Sequence, residues 1–121
     1  MTVGSKDEGV NKGLARAARF VNLFALGEAG GSKVHVVLHG QATRVALSDV
    51  AHRREFGEVN PNTEIIRSLR KAGEQIRVCG QAVIHVGYGT VDAGRDVEVT
   101  LSAMTAIVNR QMDGFAYLPI P

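Results

Sequence analysis

The sequence predicts an α/β fold of three layers, in which helices cover both faces of a mostly parallel sheet of four to five strands. Short runs rich in β-branched residues alternate with longer amphipathic segments, an order typical of βαβ units. One of these runs is apolar on both faces, as in the interior of a parallel sheet. With 121 residues, of which 45% are hydrophobic, the chain is predicted to form one domain, residues 1–121, with a core.

The first half of the chain predicts two helices and one central strand. Asn11 to Gly27 has apolar residues at helical spacing, with Asn11 as the N-cap and glycine at the exit. The run KVHVVLH at Lys33 to His39 is the doubly apolar strand, and Gly40 ends it. Gln41 to Phe56 predicts a helix whose polar face carries Arg53-Arg54-Glu55 and whose inward stripe is Val45, Ala46, Leu47 and Val50.

The next segment predicts a helix, a strand and a short helix. Asn60-Pro61-Asn62 is a helix start with Asn60 as N-cap, and Gly73 ends that helix. A strand follows over Gln75–Cys79. Ala82 to Tyr88 contains several β-branched residues, but Gly80 breaks the strand before it, so a helix of about two turns is predicted.

The last segment predicts a loop, a strand, a helix and a final strand. Thr90 to Asp96 is the loop, and Val97 to Leu101 is a strand with one edge or face exposed to solvent. Ser102 caps a helix that runs to Met112, with its inward side formed by Ala103, Met104, Ile107 and Val108. The final short strand is predicted over Phe115 to Leu118, with Pro119 stopping it.

Composition argues against several classes of partner. Fourteen basic and 12 acidic residues give a formal charge of only +2, aromatic residues are 5%, and tryptophan is absent. Stacking surfaces for nucleic acid are therefore not expected. No apolar run is long enough to span a membrane.

A single cysteine and the lack of an apolar leader in residues 1–13 favour the cytoplasm. A periplasmic location is the alternative if an export signal has been removed.

Several catalytic motifs are missing from the sequence. It contains no GxxxxGK[ST], GxGxxG, HExxH, CxxC or GxSxG pattern. Scattered histidines around one cysteine also do not form a zinc-binding pattern. A nucleotide enzyme or hydrolase is therefore disfavoured, and neither a metal nor an organic cofactor is predicted.

The only cysteine lies at the end of a predicted strand, in the run Ile76 to Gln81. A thiol directly before a helix lies near free backbone N–H groups, which favour the thiolate form. Cys79 is therefore a candidate nucleophile. The alternative is a buried, inert cysteine that fills the core, because free cysteines are among the most buried residues.

A second strand end carries chemistry-bearing residues next to Cys79. His39-Gly40 and Cys79-Gly80 both follow strands, and the carboxyl ends of parallel strands meet at one edge of the sheet. His39 is predicted either to act as base or charge partner for the thiol, or to be a simple strand-end residue. Gly80 and Gln81 would supply N–H donors and an amide around a bound sulfur group or anion.

Five short motifs in order carry a resemblance to a known family: HGQA at 39–42, NPN at 60–62, VCGQ at 78–81, LSAMTA at 101–106 and GFAYLP at 114–119. From about Leu14 to Pro119 the chain resembles the DsrE/DsrF-like (YchN-like) sulfur-relay family. The resemblance implies a five-stranded parallel sheet and a homotrimer or homohexamer. It also implies that Cys79 carries sulfane sulfur as a persulfide between a donor and an acceptor protein.

Two functions follow from these patterns. The first is a sulfur-relay protein or sulfurtransferase that uses Cys79. The second is a non-catalytic oligomeric module of the same family that binds a small anion or a protein. Relatives begin with a strand before the first helix, whereas here only Thr2-Val3 in the short segment before the polar loop suggests a strand.

Overall fold

The architecture is a parallel β-sheet with helices on both faces, seen in a computed structural model that describes residues 2–3, 11–23 and 33–120. The described strands are β1 (Thr2–Val3), β2 (His35–Leu38), β3 (Gln75–Cys79), β4 (Glu98–Thr100) and β5 (Pro119–Ile120). They are arranged in the order β4-β3-β2-β1-β5, and every pair is parallel. The predicted fold class is confirmed, with β1 and β5 contributing only two residues each.

The helices alternate with the strands, as the βαβ pattern predicts. They are α1 (Lys12–Leu23), α2 (Asp49–Phe56), α3 (Thr63–Lys71), α4 (Gly80–His85) and α5 (Ala103–Met112). Two 3₁₀ helices, Gly40–Ala46 and Thr90–Asp92, complete the described secondary structure. Asn11 caps α1 as predicted, because its Oδ1 accepts hydrogen bonds from the N–H groups of Gly13 and Leu14 at 2.8 and 3.3 Å. The predicted end of that helix, residues 24–27, lies outside the described residues.

The hydrophobic core lies on one face of β2 and β3. Val36 is paired with Ile76 and Leu38 with Val78, and all four side chains are buried. Helices α1 and α3 cover this face with Leu14, Ala17, Ile66 and Leu69. Because side chains alternate along a strand, His35, Arg77 and Cys79 belong to the opposite face. Helix α5 packs against that face over β2.

The predicted helix over Gln41 to Phe56 is wrong in its middle. A 3₁₀ helix ends at Ala46, and the chain is then extended through Leu47, which forms an antiparallel bridge with Ala93. Ser48 then caps a separate helix, accepting a hydrogen bond from the Ala51 N–H at 3.1 Å. The break turns Val50 outward, so it is 77% exposed rather than part of the inward stripe.

The predicted N-cap of the helix after Pro61 is wrong, because Asn62 is the N-cap of α3 and Asn60 instead bonds to a distant segment. Asn60 is buried, and its Nδ2 donates to the carbonyl oxygens of Val45 and Leu47 at 2.8 and 2.7 Å. Its Oδ1 accepts from the Asn62 N–H at 2.9 Å. Helix α3 therefore begins two residues after Pro61, and Asn60 ties its start to the chain after β2.

Three predictions in the last third also need correction. Helix α4 begins at Gly80 and ends at His85, earlier at both ends than predicted. Met104 and Val108 face solvent rather than the core, and Ala106 is the buried residue of α5. The last strand is Pro119–Ile120 rather than Phe115 to Leu118, since proline is tolerated at the first position of an edge strand.

His35 is a buried titratable residue on the second sheet face. Only 4% of the residue is exposed, and its ring meets the Phe115 ring edge-on at 6.4 Å between centroids. Burial lowers the pKa of His35 from 6.5 to about 4, and the positive charges of Arg77 and Arg110 act in the same direction. The fold therefore favours the neutral imidazole.

Acid is expected to destabilise the protein through His35. The pKa of His35 is lower in the folded protein than in the unfolded chain. The contribution of the neutral imidazole to the unfolding free energy is therefore complete above pH 6.5 and is lost as the pH falls towards 4. The loss near pH 4 should reach about 3 kcal/mol. Urea unfolding of the wild type and of His35→Gln at several pH values measures it. The variant should lack this part of the pH dependence, and identical slopes for both proteins would refute the assignment.

Candidate functional site at the end of strand three

Cys79 occupies the junction between β3 and α4. It is the last residue of the strand and the N-cap of the helix, with φ −64° and ψ 115°. In the sheet it is paired with Thr100 of the edge strand β4. The residue is only 8% exposed, and its thiol makes no hydrogen bond among the described residues. The sequence prediction therefore placed Cys79 correctly in the fold, while its burial also fits the alternative of a packed thiol.

Gly80 allows the helix to start against the edge strand. A Cβ atom at this position would lie 2.5 Å from the Thr100 carbonyl oxygen and 3.3 Å from Val99 Cγ1. Real Cβ atoms do not approach backbone oxygen this closely, so no other residue fits here without a shift. Gly80 was predicted to supply an N–H donor to a ligand. The structure adds a steric role that the sequence did not indicate.

His39 and Gly40 lie at the same edge of the sheet. Leu38 is paired with Val78, so His39 follows β2 at the level at which Cys79 ends β3. The His39 carbonyl accepts a hydrogen bond from the Ala42 N–H at 3.1 Å, and Gly40 adopts a left-handed φ of +57° that starts the 3₁₀ helix. Within the described chain, no hydrogen bond joins the His39 and Cys79 side chains. The two residues are brought together, but the predicted base–thiol contact is not formed.

Gln81 and His85 lie on the solvent side of α4, and both are exposed. Helix α4 has six residues, so its free N–H groups are confined to a single turn. The Gln81 amide is therefore available to an incoming molecule, although it is not part of a closed pocket with Cys79. The three clefts described in the structure are lined by other residues.

Thr43 is a polar residue near this edge that the sequence analysis missed. It lies in the 3₁₀ helix Gly40–Ala46, which packs against β3 and α4. Thr43 is 2% exposed, and its hydroxyl has no hydrogen-bond partner within the described chain. A buried hydroxyl without a partner is uncommon in folded proteins. Its position one residue after the HGQA run is the only sequence signal that could have pointed to it.

Two further observations concern metal binding and membrane insertion. In the described ranges, no group of three or more histidine, cysteine, aspartate or glutamate residues is arranged to hold a metal ion. Nor does any helix of those ranges combine the length and apolar character needed to cross a lipid bilayer.

Comparison with known proteins assigns the family. The profile of the DsrE/DsrF-like family matches residues 4–120, and the chain belongs to that family. The fold is similar to that of a protein of unknown function, MTH1491, from Methanobacterium thermoautotrophicum. The two chains are 22% identical, with a TM-score of 0.71, and the match covers 97% of this chain and 93% of the other. None of the curated proteins matches this sequence.

Replacing Gly80 should disturb the site more than replacing its neighbour. In Gly80→Ala the new methyl group would meet the Thr100 carbonyl, so the unfolding free energy should fall by about 1–3 kcal/mol. Gln81→Ala, at an exposed position of the same helix, is the control and should change it by less than about 0.5 kcal/mol. Urea denaturation measures both. A Gly80→Ala protein as stable as the control would contradict the proposed contact.

Proposed function

We propose that this protein is a sulfur-relay protein that carries sulfane sulfur as a persulfide on Cys79. The observation that carries the proposal is the position of the only cysteine at the carboxyl edge of the sheet, directly before a helix, in a chain of the DsrE/DsrF-like family. Ligands of open parallel sheets gather at this edge. The nearby His39 and Gln81 supply polar groups that a sulfur-bearing anion can contact.

The transfer consists of two thiol exchanges. The Cys79 thiolate attacks the outer sulfur of a donor persulfide, a new Sγ–S bond forms, and the donor leaves as its thiolate. An acceptor thiolate then attacks the outer sulfur, the Sγ–S bond breaks, and Cys79 leaves as a thiolate. Each step replaces one S–S bond by another, so no external oxidant or reductant is needed. The sulfur donor and acceptor are the partners that this function requires.

The burial of Cys79 sets a condition on the transfer. With 8% of the residue exposed, a donor sulfur reaches Sγ only when neighbouring groups move or when the donor is small. Local openings of this kind cost less than global unfolding when they involve a short helix at a sheet edge. Helix α4 has six residues, so its movement is the simplest way to expose the thiol.

A mass measurement tests the carrier function. After incubation with thiosulfate, or with a cysteine desulfurase and cysteine, the intact protein should gain the mass of one sulfur atom. Cys79→Ser should gain nothing, because no other cysteine is present. A reducing agent should remove the added sulfur from the wild type.

The variant His39→Gln tests the role of the neighbouring histidine. Its Cys79 should gain the sulfur atom more slowly than in the wild type, because the nearby imidazole is removed. If neither donor gives an adduct while the folded thiol still reacts with a small alkylating reagent, the carrier function is excluded.

We also propose that the protein is a homo-oligomer, and the exposed side of α5 supports this. Met104, Val108 and Met112 recur at helical spacing on α5, Leu101 lies just before the helix, and Met104 and Met112 are 77% and 82% exposed. A continuous apolar stripe of this kind marks an interaction surface. It adjoins β4, the edge strand that pairs only with β3 among the described strands.

Charge on this stripe should break the assembly. Met104→Glu places a carboxylate on the apolar surface, so the protein is expected to sediment as a monomer or to associate at least about tenfold more weakly. Val91→Glu is the control, because Val91 is 90% exposed and lies outside the stripe. Analytical ultracentrifugation of both variants measures the change. A Met104→Glu protein that assembles like the wild type would show that α5 does not form the interface.

The second candidate function is a non-catalytic oligomeric module that binds a small anion or a protein. The observation that favours it is the buried Cys79 thiol, which has no hydrogen-bond partner among the described residues. In that case Cys79 fills space beside Thr100. Cytoplasmic residence suits both functions, since a free thiol persists in a reducing compartment.

A further inference from the structure

A cleft beside the hydrophobic core has no part in the proposed sulfur transfer. It has a volume of about 170 Å³ and lies between the segment after the first 3₁₀ helix, the first turns of α3 and the loop before β4. Cys79 does not line it. Pockets for drug-sized ligands measure roughly 300–1,000 Å³, so a ligand of this cleft is small.

The floor of the cleft is apolar and its rim is charged. Leu47, Ile66 and Val97 line the cleft and are buried. The charged lining residues are two arginines and two aspartates: Asp49, Arg67, Arg95 and Asp96. The formal charge of the lining is therefore zero, which disfavours a simple anion such as phosphate and a simple cation alike.

The two arginines of the lining are available to a ligand. Arg67 pairs with Glu64 at 2.9 Å, but the Glu64 side chain is 85% exposed, and such surface pairs contribute little. Arg95 is exposed and has no ion-pair partner within the described ranges. Two guanidinium groups at one cleft match the oxygens of a carboxylate.

One of the two aspartates of the lining, Asp49, is held in place. Asp49 Oδ1 accepts hydrogen bonds from the Asn60 N–H at 3.2 Å and from the Thr63 hydroxyl at 2.6 Å. These bonds fix the carboxylate at the start of α2 and leave its second oxygen for a ligand. Asp96 lies on the same rim and has no ion-pair partner within the described part of the chain.

We propose that this cleft binds a free α-amino acid with a small apolar side chain. The arginines bind its carboxylate, the aspartates bind its ammonium group, and the side chain packs on the apolar floor. A zwitterion pairs with both kinds of charge on the rim, whereas a ligand with one charge leaves the groups of like charge without a partner. The site is independent of the Cys79 chemistry.

Isothermal titration calorimetry of the full chain tests the proposal with L-valine as the probe. N-acetyl-L-valine lacks the ammonium group and L-valinamide lacks the carboxylate, so each should bind at least about tenfold more weakly. Equal binding of N-acetyl-L-valine would overturn the proposal in favour of an anion site. No heat from L-valine at millimolar concentration would overturn it outright.

Variants connect the binding to the cleft. Arg95→Gln and Asp96→Asn remove one charge each at positions outside the core, and each should weaken L-valine binding at least about tenfold. Arg53→Gln, on the exposed side of α2 and outside the cleft, is the control and should bind like the wild type. Undiminished binding by both cleft variants would place the amino acid elsewhere. Cys79→Ser should bind L-valine normally, so this result and the persulfide result are separable.

Discussion

Among the described glycines, Gly80 has the tightest surroundings, because the start of α4 lies directly against the carbonyl oxygen of Thr100. Only a glycine at position 80 allows it, since a Cβ atom there would lie 2.5 Å from that oxygen. The contact keeps the end of β3, the edge strand β4 and the short helix at fixed positions. Cys79 is the last residue of β3, directly before Gly80 and paired with Thr100, and it is buried at this junction.

A second constraint fixes the chain that follows β2. The Asn60 side chain bonds to the carbonyls of Val45 and Leu47, and Asp49 in turn accepts a hydrogen bond from the Asn60 N–H. These bonds hold the start of α3 against the segment that ends the 3₁₀ helix. The cleft that carries the charged rim lies where these segments meet the loop before β4, so its shape depends on a polar network rather than on the hydrophobic core.

Much of the central sheet could be predicted from the sequence because its strands are encoded locally. The run at Lys33 to His39 is apolar on both faces, and β2 is buried along its whole length. Strand β3 has the predicted bounds, and Asn11 and Ser102 cap their helices as expected. The same logic located Cys79 and His39 at one edge, because parallel strands end together.

The remaining features depend on contacts between distant segments. The helix breaks at Leu47 because this residue forms a bridge with Ala93. Asn60 donates hydrogen bonds to carbonyl oxygens up to 15 residues away. No local sequence pattern indicates either contact. Apolar spacing on α5 predicted that Met104 and Val108 face the core, yet the same spacing suits an exposed stripe that another chain covers. Residue type also could not tell whether the Cys79 thiol is accessible, because burial depends on how segments distant in sequence pack together.

Accessibility of the Cys79 thiol in the folded protein is therefore the central question. The most direct measurement is the rate of Cys79 alkylation by iodoacetamide in native buffer, compared with the global unfolding rate under the same conditions. If α4 opens locally to admit a sulfur donor, alkylation will be faster than unfolding and will rise in proportion to the reagent concentration. An alkylation rate that levels off at the unfolding rate would show a thiol sealed in the fold and would contradict the sulfur-relay account.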